Sequence, residues 1–275
     1  MYEEYSKRLQ RYKGHFEKYH WKTYPSIIDF NGLPMPFDFN AKNIGINFSG
    51  GADSTLLLYV LCKIISENNL PTKIHPIHNI RFYKEKPWLP QMAKNCYNYL
   101  KLRFGNILKP VQYGFIPTEL ELTKISQLDI PHLAYEFTAD KASCDVLYTH
   151  RYNQFIIDML DLEWVYSGTT TNPPIEHEKA PGFRDAEITQ DKLELVMSAS
   201  GINPFALITK DWVMAQYKNL DIDDLLELTR SCEADMRVYD IKAWKTGDDY
   251  PEPCGTCFFC KEREWGIDNM EKWIL

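Results

Sequence analysis

NFSGGADST, residues Asn47 to Thr55, places two glycines, three hydroxyl side chains and one acid between two apolar neighbours. Ahead of it, KNIGINF (from Lys42) is a short β-prone run, and after the glycines STLLLYVLCKIISEN is apolar over a helix length. The unit therefore reads as strand, tight turn and buried helix. Gly50 and Gly51 permit backbone conformations and close approaches that side chains forbid. A helix that opens directly afterwards presents free N–H groups and a partial positive charge, and the two features together make an anion cradle. Ser49, Ser54 and Thr55 offer hydroxyl donors to the same concavity. Asp53 would repel a bound phosphate unless a cation lay between them, and magnesium is the cation suited to that place. A plain turn with Asp53 as helix cap is the alternative; the strand before, the helix after and the hydroxyl–acid–hydroxyl order favour the cradle. It is not a Walker loop, because no lysine lies within the turn.

Outward from the loop, KIHPIHNI (Lys73 to Ile80) predicts a second strand, although Pro76 is unusual in a central one. WLPQMAKNCYNYLKLRF predicts a helix, and ILKPVQYGF a third strand interrupted by proline. ASCDVLYTHRYNQFIIDMLDLE has helical periodicity and runs into WVYSGT, a short strand that ends in small polar residues. Alternating strands and helices imply a parallel sheet covered on both faces. Such sheets bind ligands beyond the carboxyl ends of their strands, which is where FSGG and YSGT both fall. The expected architecture is α/β and Rossmann-like, with three parts: residues 1–40 as an N-terminal extension, 41–208 as the nucleotide-binding α/β domain, and 209–275 as a helical, metal-binding region. Residues 170–201 are rich in proline and charge and read as an active-site loop or lid. Thr209 is placed to cap the helix TKDWVMAQYKN.

The chain has 275 residues, 44% hydrophobic and 14% aromatic, which excludes a disordered polymer, and its net charge of −7 gives no general attraction to nucleic acid or anionic membranes. The first residues lack an apolar signal core and no run reaches membrane-spanning length, so the expected compartment is the cytoplasm. Seven cysteines in such a chain are thiols or metal ligands rather than disulfides. Cys254, Cys257 and Cys260 form C-x2-C-x2-C, and Cys232 lies upstream within reach. Four thiolates match a closed tetrahedral zinc site; an iron–sulfur cluster is the alternative. Cys62, Cys96 and Cys144 read as buried thiols. His75 and His78, three apart in a strand, point to opposite faces and do not make a metal pair.

SGGADST resembles the PP-loop of the N-type ATP pyrophosphatases, whose signature is S-G-G-x-D-S. That resemblance implies ATP bound with magnesium, attack at the α-phosphorus and release of pyrophosphate. It places the nucleotide on Phe48, Ser49, Gly50, Gly51, Ala52, Asp53, Ser54 and Thr55, with Gly168 at the neighbouring strand end. CGTCFFC, the distal cysteine in TRSCE and the segment NPFALITKDWV together resemble one branch, the 7-cyano-7-deazaguanine synthases. From this follow a structural zinc on Cys232, Cys254, Cys257 and Cys260, and Lys210 and Arg151 as cations on the α-phosphate, with Asp53 completing the catalytic set. The implied reaction turns 7-carboxy-7-deazaguanine, ATP and ammonia into an amide and then a nitrile. The branch's G-R-N segment survives only as HRYN, its Y-G-Q-R-H stretch only as HNIRF with Arg81, and its acceptor loop has no counterpart in YSGTTTNPPIEHEKAPGFRDAE. Two alternatives stay open: the same chemistry on another acceptor (a protein terminus, an altered base or a tRNA), or a nucleotide-binding zinc protein without turnover. A small-molecule carboxylate is the expected partner, nucleic acid is disfavoured by the acidic balance, and a homodimer is left open.

Overall fold

The computed structural model describes residues 26–81, 88–116, 153, 155–174, 197–198, 201–206, 208–233 and 252–275. Arg151, Cys144 and most of the expected acceptor loop lie outside the described residues.

Two strands, β1 (Ser26–Phe30) and β2 (Leu33–Phe37), pair antiparallel as a hairpin. Its turn is Asn31-Gly32, both at positive φ (49° and 78°), as a two-residue hairpin loop of the mirror-image type requires. On the alternation expected of a strand, Leu33, Met35 and Phe37 share one face, and all three are buried in the main core, each stabilising by about 1.5–3 kcal/mol. The Tyr166 hydroxyl donates to the Pro36 carbonyl at 3.2 Å, and Trp164 Nε1 donates to Asp38 at 3.1 Å. A segment to which the sequence assigned no strand is thus fastened to the sheet.

That sheet has the order β5–β4–β3–β6–β8–β7, built from β3 (Asn43–Asn47), β4 (Lys73–Arg81), β5 (Gln112–Ile116), β6 (Trp164–Tyr166), β7 (Met197–Ser198) and β8 (Gly201–Ile202). The first five in that order are parallel, and β7 closes the edge antiparallel. Chain direction across the sheet reverses between β3 and β6, the switch point at which open α/β sheets leave a crevice. α1 (Ala52–Glu67) follows β3 and is buried on nearly every side, which explains its almost unbroken apolar sequence. α2 (Trp88–Phe104) carries Pro90 in its first turn, where a missing N–H costs nothing. A helical segment over 155–160 precedes β6. α3 (Lys210–Asn219), the short α4 (Asp223–Glu227) and α5 (Phe258–Asp268) complete the chain.

Pro76 does lie in an inner strand. Lys73 N–H bonds the Lys42 carbonyl and Phe48 N–H bonds the Ile77 carbonyl, so odd-numbered residues of β4 face β3, and Pro76 directs its missing donor toward β5. On that side the contact is one bridge from Ile74 to Leu108, and the β5 ladder resumes only at Ile77. The proline occupies the gap between them, so no ladder hydrogen bond is lost. Among the described residues, no helix is long and apolar enough to cross a membrane.

Candidate nucleotide and metal site

Phe48, Ser49, Gly50 and Gly51 link β3 to α1 at the switch point. His78 holds the entry: its Nδ1 donates to the Phe48 carbonyl at 2.8 Å, while His75 is engaged on the other side of β4 by Asn43 at 3.3 Å. Gly50 has φ +78°, and a β-carbon there would lie 2.6 Å from the Ala93 backbone nitrogen of α2. Both the conformation and the space require glycine. We expect Gly50→Ala to cost at least about 2 kcal/mol, combining positive-φ strain with backbone overlap. Chemical denaturation would check this, with Gly105→Ala, also at positive φ but in open space, as the reference that isolates the overlap.

Gly51 is the N-cap residue of α1, and no side chain caps the helix. The amides of the first turn point out of the helix start, toward the loop's concavity. Ser49 and Ser54 brace the turn: their hydroxyls lie 3.0 Å apart, Ser54 Oγ accepts from Ser49 N–H at 3.2 Å, and Ser49 Oγ accepts from Gly51 N–H at 3.2 Å. Phe48, Ala52 and Thr55 are buried. Phe48 and Ala52 can offer a ligand only backbone, and the Thr55 hydroxyl, on the fourth residue of α1, is buried. Gly168, after β6, rests on the loop from the other side: a β-carbon there would lie 3.0 Å from the Asp53 carbonyl. The fold thus brings YSGT against SGGADST.

Lys210 opens α3 and is 2% exposed; its Nζ contacts Asp53 Oδ2 directly and lies 3.4 Å from Glu262 Oε2. Lys210 and Asp53, 157 positions apart in the chain, therefore meet. Lys210 faces two carboxylates, and Asp53, the partly exposed one, is the member that a bound cation could reach. Thr209 occupies the N-cap position, but its hydroxyl donates to the Asp211 carboxylate instead of the helix backbone. Burial opposes ionisation of Asp211, yet hydrogen bonds from Lys272, Thr209 and Trp273 outweigh it and hold its pKa below the usual carboxylate value.

Cys232, Cys254, Cys257 and Cys260 bring their sulfurs within 4.8 Å of one another. Gly255 turns the knuckle at φ +67°, and Cys257 caps α5. Backbone N–H groups point at sulfur, from Cys254 to Cys232 Sγ at 3.5 Å and from Cys257 to Cys254 Sγ at 3.3 Å. Crowding sets the thiols against one another. The Cys232 sulfur and then burial push Cys257 up, and burial raises Cys260 to about 11. At Cys254, burial is outweighed by hydrogen bonds from Thr256 and Cys257, and the pKa falls. Two of the thiols are thus held protonated without a cation, and the donor set fits a thiophilic divalent ion. Cys62 and Cys96 are fully buried; burial raises both, Cys96 to about 11, as inert core thiols should behave.

Three residues that the sequence did not single out complete the arrangement. Arg230 N–H bonds the Gly50 carbonyl at 3.1 Å while its guanidinium stacks on Trp88 at 4.5 Å. Glu262 holds Lys210, and Arg263 donates to the Thr229 hydroxyl. Isolated charges carry no sequence signal; their place two and three residues after Cys260 is the one clue available.

No family model matches the chain, and no curated protein matches it. Solved structures similar in part include two of different activity. One is the U34-tRNA thiolase NcsA from Methanococcus maripaludis with its 4Fe-4S cluster, at 15% identity and a TM-score of 0.42, covering 96% of this chain and 74% of that one. The other is NAD+ synthetase from Burkholderia pseudomallei, at 11% identity and 0.37, covering 84% and 80%. At that depth neither likeness assigns this chain a family or an activity.

Proposed function

We propose that the chain is an ATP-dependent ligase that adenylates a carboxylate with release of pyrophosphate and passes the acyl group to ammonia, 7-carboxy-7-deazaguanine being the acceptor that its sequence resemblance favours. The observation that carries this reading is the uncapped start of α1, reached through Gly50, with the Lys210–Asp53–Glu262 trio at its rim. Amides of the first turn of α1 would hold the terminal phosphates, and a magnesium ion bound at Asp53 would neutralise charge between them. A carboxylate oxygen attacks the α-phosphorus, the bond to the β-phosphate oxygen breaks, and pyrophosphate departs onto the helix amides. Ammonia then attacks the acyl carbon, AMP leaves, and a proton passes to solvent, giving the amide. A second ATP activates the amide oxygen in the same way; loss of AMP and two protons from nitrogen leaves the nitrile. The chain's own contribution is orientation and fixed donors aimed where negative charge builds.

At the cysteines, a single zinc ion is the best fit. With bonds of about 2.3 Å, tetrahedral sulfurs lie about 3.8 Å apart, close to the 4.0 Å between Cys254 and Cys260. A four-iron cluster attaches each sulfur to a different iron and needs them spread wider.

The test is incubation of the metal-loaded protein with ATP, magnesium, ammonia and 7-carboxy-7-deazaguanine, with nucleotide products separated. AMP and pyrophosphate in equal amounts, with nitrile formed, are expected. ADP and phosphate would overturn the loop chemistry. AMP formed only with a different carboxylate or a macromolecule would move the acceptor and leave the loop's role standing.

A further inference from the structure

The cysteine centre and the nucleotide loop are joined by two adjacent residues of one helix. Cys257 caps α5 and Cys260 lies in its first turn; Glu262 and Arg263 follow and reach in different directions. Glu262 is buried against Lys210, which in turn touches Asp53. Gly266, one turn on, lets the helix lie directly upon Lys210: a β-carbon there would come within 2.7 Å of Lys210 Cγ and 3.1 Å of its backbone carbon. Arg263 donates to the Thr229 hydroxyl at 2.7 Å and to the Thr229 and Leu226 carbonyls at 3.3 and 3.0 Å. Thr229 precedes Arg230, whose N–H bonds Gly50, and two residues later Cys232 supplies the distal sulfur. One arm therefore ends on the acid of the loop and the other on its left-handed glycine. Both start within three residues of a metal-ligating sulfur.

We propose that occupancy of the four-cysteine centre sets the nucleotide affinity of the loop, with Glu262 as the positioning residue that transmits it by holding Lys210 against Asp53. The inference rests on the nucleotide reading above. A metal ion bridging Cys232 to the knuckle fixes α5 relative to the segment at 226–232; without it, that union rests on hydrogen bonds such as those of Arg263, and Glu262 stays against Lys210 but is held there less rigidly. Such coupling is reciprocal, because two equilibria linked through one conformation change each other by the same factor.

The experiment titrates a non-hydrolysable ATP analogue with magnesium into zinc-loaded full-length protein by calorimetry, and separately measures zinc affinity by chelator competition with and without that analogue. In the wild type, the analogue should tighten zinc binding by about tenfold, within the usual range for coupled sites. Glu262→Gln should keep its zinc and its near-ultraviolet circular dichroism, weaken the analogue by about tenfold, and abolish the mutual tightening. Combined with Lys210→Met, Glu262→Gln should change affinity by less than about twofold, since its effect passes through that lysine. Wild-type zinc affinity that does not respond to a bound analogue overturns the coupling without recourse to any variant, as does Glu262→Gln that binds the analogue like wild type. A wild type that ignores the analogue altogether defeats the nucleotide reading itself.

Discussion

Asp53→Asn is expected to lower pyrophosphate release by about 10²–10³-fold, the scale of losing one fixed electrostatic group at a transition state, while the protein stays folded. Asp53 is the partly exposed member of the Lys210–Asp53–Glu262 trio, and the other two are fully buried. Asparagine leaves one lysine facing one glutamate, a neutral buried pair, so stability should change little or rise. Lys210→Met makes the opposite trade: Asp53 and Glu262 lose the buried lysine that both contact, and removal of one partner from a buried ionic cluster costs about 3–5 kcal/mol. Steady-state pyrophosphate assays beside denaturant unfolding of both variants decide the matter. Equal destabilisation by the two, or full turnover by Asp53→Asn, would show that Asp53 is there to satisfy the lysine and not to serve a nucleotide.

That asymmetry also shows what a sequence can disclose. The loop is legible because its chemistry is local: glycine, hydroxyl and acid within seven residues, with a strand on one side and an apolar helix on the other. The cysteine set is legible for the same reason, three of its members lying within seven positions. Pairing between Asp53 and Lys210 is not legible, because it depends on α3 packing against α1, and no periodicity in either helix encodes that contact. Glu262 and Arg263 are harder still, since in the sequence they are two charges among 69 and acquire roles only through packing against Lys210 and Thr229. The hairpin at 26–37 is a different case. Asn-Gly between two extended runs is the strongest short-range hairpin signal available, but Pro34 and Pro36 mask β2 by lowering strand propensity. They alternate with Leu33, Met35 and Phe37, and thereby mark the positions that cannot donate to the partner strand.

Stripping the four-cysteine centre with a strong chelator should lower stability by as much as losing Lys210 does. An ion present at about 1,000 times its dissociation constant stabilises the folded state by about 4 kcal/mol, and at the lower end of the usual conversion for large domains this lowers the thermal midpoint by about 8 °C. The loss should not be uniform. α5 retains the buried contacts of Glu262, Arg263 and Gly266, so the stripped protein should remain folded across the parallel sheet, unlike a zinc finger, whose fold depends on the metal outright. Hydrogen exchange should instead open locally, at Cys257 and Cys260 where the knuckle enters α5 and at the Arg230 amide, which bonds the Gly50 carbonyl of the loop. Readdition of zinc should restore both regions together. A midpoint that moves by less than about 2 °C, or protection lost at the knuckle while the loop stays closed, would mean that the sulfurs meet without carrying a structural ion, or that the ion acts on the C-terminal helix alone. Purified protein with stoichiometric iron and a visible charge-transfer band would identify the centre as a cluster, and the zinc assignment would fall while the chain's two arms from α5 to the loop kept their geometry.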